Sequence, residues 1–317
     1  MKLSFIIPAY NEEESLEQLY NEILQNRGDH QYEVIFIEDG STDNTYSVMQ
    51  QLAQKDSNVK VIRFRKNFGK AAALQTGFNY ATGDVIFTMD ADLQDNPAEI
   101  NSFLAKLDEG YDLVTGWKKK RHDPLNKKIP SKLFNFITSL SFGLKLHDYN
   151  CGFKAYRREV VAELDIYGEM HRYIPALAHS KGFKVAEIVV DHRSRQFGKS
   201  KYGIERYLRG FLDLTTVKLL THYARSPLYL FGNMGALISL VGVLIALYLS
   251  VLKIFFYQSL SNRPLLFLAV LLIMVGLQLF SVGLLSELMV NQNRRLNRKK
   301  HISIKDFVNI KGEDNDQ

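Results

Sequence analysis

The sequence holds one cysteine, Cys151, and one tryptophan, Trp117, in 317 residues. A single cysteine excludes an internal disulfide and any cysteine-built zinc site, and it suits a domain facing the cytosol. No Gly-x-Gly-x-x-Gly follows an apolar strand, which argues against a dinucleotide oxidoreductase. Gly198-Lys199-Ser200 matches the end of a phosphate-binding loop, but Arg193 stands where its first glycine belongs. No histidine pair has metal-ligand spacing, so His171, His179 and His192 read as surface or hydrogen-bonding residues. There is no internal repeat. Met1-Lys2 leads into an apolar run too short for a signal peptide, and Pro8 closes it. The net charge of +6 and pI near 9.1 allow a nucleic-acid partner. The basic residues cluster beside apolar runs instead, so an anionic lipid surface accounts for them and no nucleic acid is expected.

What the chain does have is apolar sequence concentrated near its end. The mean hydropathy of −0.14 hides this. Leu228–Leu252 and Pro264–Leu288 are each about 25 residues long, and a membrane span needs about 20. A short loop, Lys253 to Arg263, joins them into a predicted two-span hairpin. Lys218 and Arg225 precede it, and Arg294, Arg295, Arg298, Lys299 and Lys300 follow it. The positive-inside rule places both ends in the cytosol. This predicts an integral, two-span protein of a bacterial cell membrane with a cytosolic catalytic part. Residues 202–226 mix Arg206, Arg209 and Lys218 with Leu208, Phe211 and Leu212, the pattern of an amphipathic helix in the membrane interface. A helix packed on the domain is the rival reading. Residues 291–317 form a basic, then polar tail, expected to be disordered after His301.

The first 201 residues read as one catalytic domain. Leu3–Ile7, Val34–Ile37, Val59–Phe64 and Val85–Met89 are short β-favouring runs. Helical patterns separate them: Glu12 to Arg27 with Leu16, Leu19, Ile23 and Leu24 on one face, Asn44–Lys55, and an alanine-rich stretch to Tyr80. Alternating strands and helices predict an α/β fold with a parallel, doubly wound sheet. Further on, a helix over Pro97–Glu109, a strand over Tyr111–Gly116, a mobile basic loop over Lys118–Lys128 and a helix over Ser131–Leu144 are expected. After these come a helix near Arg158, another from His171 to Ser180, and a strand over Lys184–Val190.

Asp90-Ala91-Asp92 follows the fourth strand, where open α/β sheets gather ligands. Two acids this close repel unless a cation sits between them. A hard ion with oxygen ligands, Mg²⁺ or Mn²⁺, suits Asp90 and Asp92 and also takes substrate phosphate oxygens. The rival reading is a polar turn in which Asp92 or Asp95 caps the helix starting near Pro97. Residues 193–201 carry Arg193, Arg195, Lys199 and Lys201 around Gly198, a predicted mobile phosphate clamp.

Three motifs carry a resemblance: Pro8-Ala9-Tyr10-Asn11-Glu12, Glu38-Asp39-Gly40-Ser41-Thr42-Asp43 and Asp90-Ala91-Asp92-Leu93-Gln94. They resemble the inverting, family-2 nucleotide-sugar glycosyltransferases of the GT-A fold. Asp148 to Tyr156, Arg195 to Lys201 and the two spans are similar to the polyprenyl-phosphate hexosyltransferases, relatives of dolichol-phosphate mannose synthase and bacterial undecaprenyl-phosphate glucosyltransferase. The resemblance covers about Lys2 to Asn291. It implies that Pro8, Tyr10, Glu12 and Asp39 hold the base and ribose of a UDP- or GDP-hexose. Asp90, Ala91, Asp92 and Gln94 would surround metal and diphosphate, with Lys118 where relatives often carry Arg. Asp148 would take the supposed base position, and Arg195 and Lys201 would contact donor and acceptor phosphates. Glu38 replaces a common Asp. Asn150-Cys151 stands where many relatives have Thr-Ser, so no hydroxyl contact to the acceptor is implied there.

The activity so implied is transfer of a hexose from a nucleotide sugar to an undecaprenyl or dolichyl phosphate at the cytosolic membrane face. The alternatives are a membrane glycosyltransferase with another lipid or glycan acceptor, and a non-catalytic nucleotide-binding membrane adaptor. A processive polysaccharide synthase would need a Gln-x-x-Arg-Trp motif, which is absent. A homo-oligomer is compatible with all of these.

Overall fold

The computed structural model describes residues 1–119, 135, 137–191, 193, 227–257, 264–293 and 304–308. These fall into two compact units, 1–217 together with 301–317, and 218–300.

The first unit is built on one sheet. Its strands are β1 (Lys2–Ala9), β2 (Gln31–Glu38), β3 (Val59–Phe64), β4 (Val85–Thr88), β5 (Leu113–Trp117), β6 (Lys154–Arg157), β7 (Val185–Val189) and β8 (Ile304–Val308). Their order is β7-β5-β6-β4-β1-β2-β3-β8. β4, β1, β2 and β3 run parallel, as the alternating pattern predicts. Successive side chains of β1 point to opposite faces, so both faces are covered. Leu3, Phe5 and Ile7 join one buried cluster and Ile6 the other. The first face is packed by α1 (Leu16–Asn26), α2 (Thr45–Lys55) and α4 (Ile100–Asp108), the second by α3 (Lys70–Tyr80), α5 (Arg158–Glu163) and α6 (Ile174–Ser180). Leu16, Leu19 and Ile23 are fully buried in α1, with Tyr20 beside them, whereas Leu24 is only partly covered.

Three expectations need correction. The sheet is mixed, because β6 inserts antiparallel between β4 and β5. Its four residues, Lys-Ala-Tyr-Arg, carry charge at both ends and so lack the apolar signature of a buried strand. The tail after His301 is not wholly disordered: β8 pairs antiparallel with the free edge of β3, satisfying backbone groups that would otherwise stay open. Neither Asp92 nor Asp95 caps the helical turn at Pro97. Asn96 does, accepting from the Ala98 N–H at 3.1 Å. Just ahead of α2, Asp43 accepts from the Thr45 N–H at 3.0 Å and from the Thr45 hydroxyl at 2.5 Å.

The second unit is a pair of 30-residue helices, α7 (Pro227–Phe256) and α8 (Pro264–Asn293). The polar link is therefore shorter than expected, since Lys253 to Phe256 continue α7. Both helices are long and apolar enough to cross a membrane. Their contact is made by small residues, which let the backbones approach. A Cβ on Gly235 would lie 2.5 Å from the Gly276 carbonyl, and one on Gly242 2.8 Å from the Ala269 carbonyl. Leu237, Leu244, Phe267 and Leu277 point outward, exposed.

One buried charge cluster ties three strands together. Glu33 on β2 is 2% exposed and accepts from Lys60 Nζ at 2.7 Å, Ser4 Oγ at 2.5 Å and the Thr82 N–H at 2.6 Å. Burial pushes its carboxyl upward, but Lys60, Ser4 and Thr82 outweigh that and hold it at about 2. The depressed value means that Glu33 stabilises the fold fully above pH 4.5 and loses that contribution as pH falls toward 2. The contribution is about 3 kcal/mol. Glu33→Gln is expected to lower the thermal midpoint at pH 7 and to flatten its fall between pH 4.5 and 2, read by scanning detergent-solubilised protein.

Candidate active site

The strand directions decide what meets. β1, β2, β4 and β5 all end on one rim of the sheet, and antiparallel β6 begins there, with Lys154 opposite both Thr88 and Thr115. The loops after Ala9, Glu38, Thr88 and Trp117, and the loop 148–153 before β6, therefore converge.

The loops after β1 and β2 lock each other. Asn11, in the left-handed region at φ 55°, donates its N–H to Ser41 Oγ at 3.0 Å and accepts from the Thr42 N–H at 2.8 Å. The Glu12 N–H bonds Thr45 Oγ1 at 2.9 Å, and the Asp39 N–H bonds the Ala9 carbonyl at 3.0 Å. Gly40 is required because a Cβ would lie 2.5 Å from the backbone of Lys66 and Asn67. Pro8, Tyr10, Glu12 and Asp39 thus share one part of the rim. Asp39 is buried, and its carboxylate accepts from the N–H groups of Phe68 at 2.7 Å and Gly69 at 3.0 Å. Burial raises its pKa to about 6; the two N–H bonds pull downward and neighbouring Glu38 pushes up.

The turn after β4 is strained. Leu93 has φ 59°, unfavourable for a bulky residue, and its complete burial holds it there. Asp92 spans this turn, accepting from the Gln94 N–H at 3.2 Å. Ala91 is buried and Gln94 half-buried. The Asp90 N–H bonds Asp95 at 3.2 Å, and the Asp90 carboxylate contacts Lys70 Nζ. Gly152 packs against that carboxylate: a Cβ there would lie 2.5 Å from Oδ2. Burial pushes the Asp90 carboxyl up, but Lys70, Lys118 and Lys154 hold it well below the usual carboxylate range.

Lys118 directly follows β5, and residues 120–128 of the expected basic loop lie outside the described residues. Lys118 is largely buried and pairs with Asp95 at 3.3 Å. Burial lowers its pKa, and Asp95, with Cys151, Asp90 and Asp148, raises it above the usual lysine range. Asp148 is 1% exposed, and Oδ1 accepts from the Asn150 N–H at 3.1 Å. Lys154 is buried with Nζ on the Cys151 carbonyl, and burial lowers its pKa to about 8. His171 lines the small pocket behind Asp90 with Lys70, Thr88, Asn150 and Lys154. Its Nδ1 is buried with no hydrogen-bond partner among the described residues, and burial, then Lys70, keep its pKa far below the ordinary value.

The structure thus gathers Asp90, Asp92, Lys118 and Asp148. Arg195 and Lys201 lie outside the described residues. Arg193, read as part of a clamp, pairs instead with Glu22 at 2.6 Å and Asn96 at 2.7 Å. Sequence reading missed Lys70, Asp95, Lys154 and His171 as site residues. Lys154 falls inside the Asp148-to-Tyr156 motif without being singled out there; Lys70 and His171 carry no local signal. Among the described residues no group of three or more His, Cys, Asp or Glu side chains could hold a metal ion. Asp90, a third exposed, and Asp92, largely buried beside it, still suit Mg²⁺ or Mn²⁺, which completes its shell with phosphate oxygens and water.

Residues 4–165 match the glycosyl transferase family 2. The dodecaprenyl-phosphate galacturonate synthase of Rhizobium johnstonii is 35% identical over 295 residues, covering 91% of this chain and 87% of that protein. The undecaprenyl-phosphate 4-deoxy-4-formamido-L-arabinose transferase of Proteus mirabilis is 35% identical over 290 residues, covering 90% and 87%. Among solved structures, the glucosyl-3-phosphoglycerate synthase of Mycobacterium tuberculosis, in complex with Mn²⁺, UDP-glucose and phosphoglyceric acid, superposes with TM-score 0.55 at 19% identity, covering 69% of this chain and 78% of that one. That likeness establishes the GT-A fold. A family match that runs from β1 to just past α5 and takes in six of the sheet's eight strands, and relatives that cover nine-tenths of the chain, leave one conclusion: this chain is a glycosyltransferase and belongs to glycosyl transferase family 2.

Proposed function

We propose that this enzyme transfers a hexose from a UDP- or GDP-sugar to a polyprenyl phosphate at the cytosolic face of a bacterial membrane. One observation carries the reading. Relatives named for dodecaprenyl- and undecaprenyl-phosphate sugars match over nine-tenths of the chain, and so through both the rim and the apolar helices. In this reading α7 and α8 cross the membrane and tether the chain to the bilayer that carries the lipid substrate. The amphipathic segment 202–226, outside the described residues, would lie in the interface.

The reaction breaks the bond between the anomeric carbon and the nucleoside diphosphate, which leaves with the electron pair. A lipid phosphate oxygen forms the new bond from the opposite side, inverting that centre. The attacking oxygen is already anionic at neutral pH, so a strong base is not needed. Asp148 orients the sugar or stabilises positive charge at the anomeric carbon. Pro8, Tyr10, Glu12 and Asp39 hold the nucleoside, with Ala91 and Gln94 beside the diphosphate. Lys118, kept charged by Asp95, faces the leaving group's growing charge, and Arg195 and Lys201 contact donor and acceptor phosphates. Asp90 and Asp92 would hold Mg²⁺ or Mn²⁺, which supplies further charge neutralisation at the diphosphate.

Purified protein, undecaprenyl phosphate and a panel of UDP- and GDP-sugars with Mn²⁺ test the activity by mass of the lipid product. A new lipid-linked sugar is expected, and nucleotide binding with no transfer from any donor would favour an adaptor. Asp92→Asn should abolish transfer with an unchanged thermal midpoint. Asp148→Asn should lower kcat with little change in donor affinity; an unaltered kcat removes Asp148 from the site. Arg195→Ala and Lys201→Ala should each cost on the order of 10²-fold in kcat. Near-normal turnover in detergent would reduce both to lipid contacts. A cysteine placed at Ser259 should label only from outside the cytosol.

A further inference from the structure

We propose that Lys70 is a stand-in cation on Asp90, and that a divalent ion reaches this carboxylate only by displacing it. The inference rests on the reading of Asp90 as a metal ligand.

The geometry leaves Asp90 room for one cation. One side of its carboxylate faces Gly152, where a Cβ would lie 2.5 Å from Oδ2. The backbone is fixed by the bond from the Asp90 N–H to Asp95. Oδ1 carries Lys70 Nζ. An ammonium and a compact divalent ion on the same oxygen repel each other, so one excludes the other.

Lys70 is built to leave. Its side chain is 25% exposed and that of Asp90 32%, so the pair sits at the open rim. Its backbone start is held: Phe68 and Gly69, just before it, donate to Asp39. The four-carbon stem swings from that fixed point. The other lysines near Asp90 have their own partners, Lys118 on Asp95 and Lys154 on the Cys151 carbonyl. Lys70 also opens α3 at its positive end, with no acidic residue in the first turn to offset it. Asp90 supplies that compensation in the resting state, and the donor diphosphate supplies it once the ion has taken Asp90. The same side chain thus links ion entry to the arrival of the leaving group.

The test is Mn²⁺ binding to the full chain in detergent without nucleotide, followed by electron paramagnetic resonance of the free ion. Lys70→Met keeps length and removes charge, and should tighten Mn²⁺ binding about tenfold, within the range of ordinary coupling between sites. Lys70→Arg retains the charge and should stay near wild type. Adding Asp90→Asn to Lys70→Met should erase the gain. Thermal midpoints of all variants report folding. If Asp90→Asn weakens Mn²⁺ binding but Lys70→Met leaves it unchanged or weaker, the metal reading stands and the displacement idea is overturned. If Asp90→Asn leaves Mn²⁺ binding untouched, both are overturned.

Discussion

The parallel pairing of β4, β1 and β2 is the constraint on which the site depends. Parallel strands end on the same side, and neighbouring strands lie about 4.8 Å apart. The loops after Ala9, Glu38 and Thr88 therefore begin within reach of one another. None could be shifted by one residue without turning Phe5, Val34 and Ile86 to the wrong face. The buried core thereby holds in place the polar rim that it does not itself contain.

That rim concentrates charge of both signs. Asp95 and Lys118 are buried as a pair, Lys154 is buried on a carbonyl, and Asp90 lies among the lysines. Buried ions are costly unless paired, and unpaired partners are costlier still. The fold tolerates them because strand ends deliver each to an opposite charge or to a backbone oxygen. Cys151 follows the opposite logic. Burial pushes its thiol up to about 12, so it is an inert packing residue against Gly116 rather than a nucleophile. Clusters of strongly shifted groups in one region are the electrostatic mark of a working site.

The second unit follows different physics. Apolar side chains cover the outer surface of α7 and α8, and small residues line their contact. Lipid tails offer helices no hydrophobic reason to associate, so close backbone approach must provide it. The two units carry their apolar surface differently, the first inside against a sheet and the second on the outside of two helices long and apolar enough to cross a membrane, which is why one chain shows alternating strands and helices early and two long apolar runs late.

The sequence by itself determined a good deal. Short β-branched runs separated by amphipathic helices settle the parallel half of the sheet, because period and length are local properties. The long apolar runs settle the hairpin on composition alone. The carboxylates Asp90 and Asp92 were legible because they directly follow a recognisable strand. Only the tertiary structure decided the rest. β6 draws its identity from neighbours on both sides, and its own four residues carry no pattern. β8 is a polar tail that becomes a strand because β3 presents an open edge. Lys70, Lys154 and His171 enter the site from β3–α3, β6 and a turn before α6, segments 20 to 81 residues from Asp90 in the chain. Charge interactions over a few ångströms depend on position in space, and no local sequence pattern encodes that.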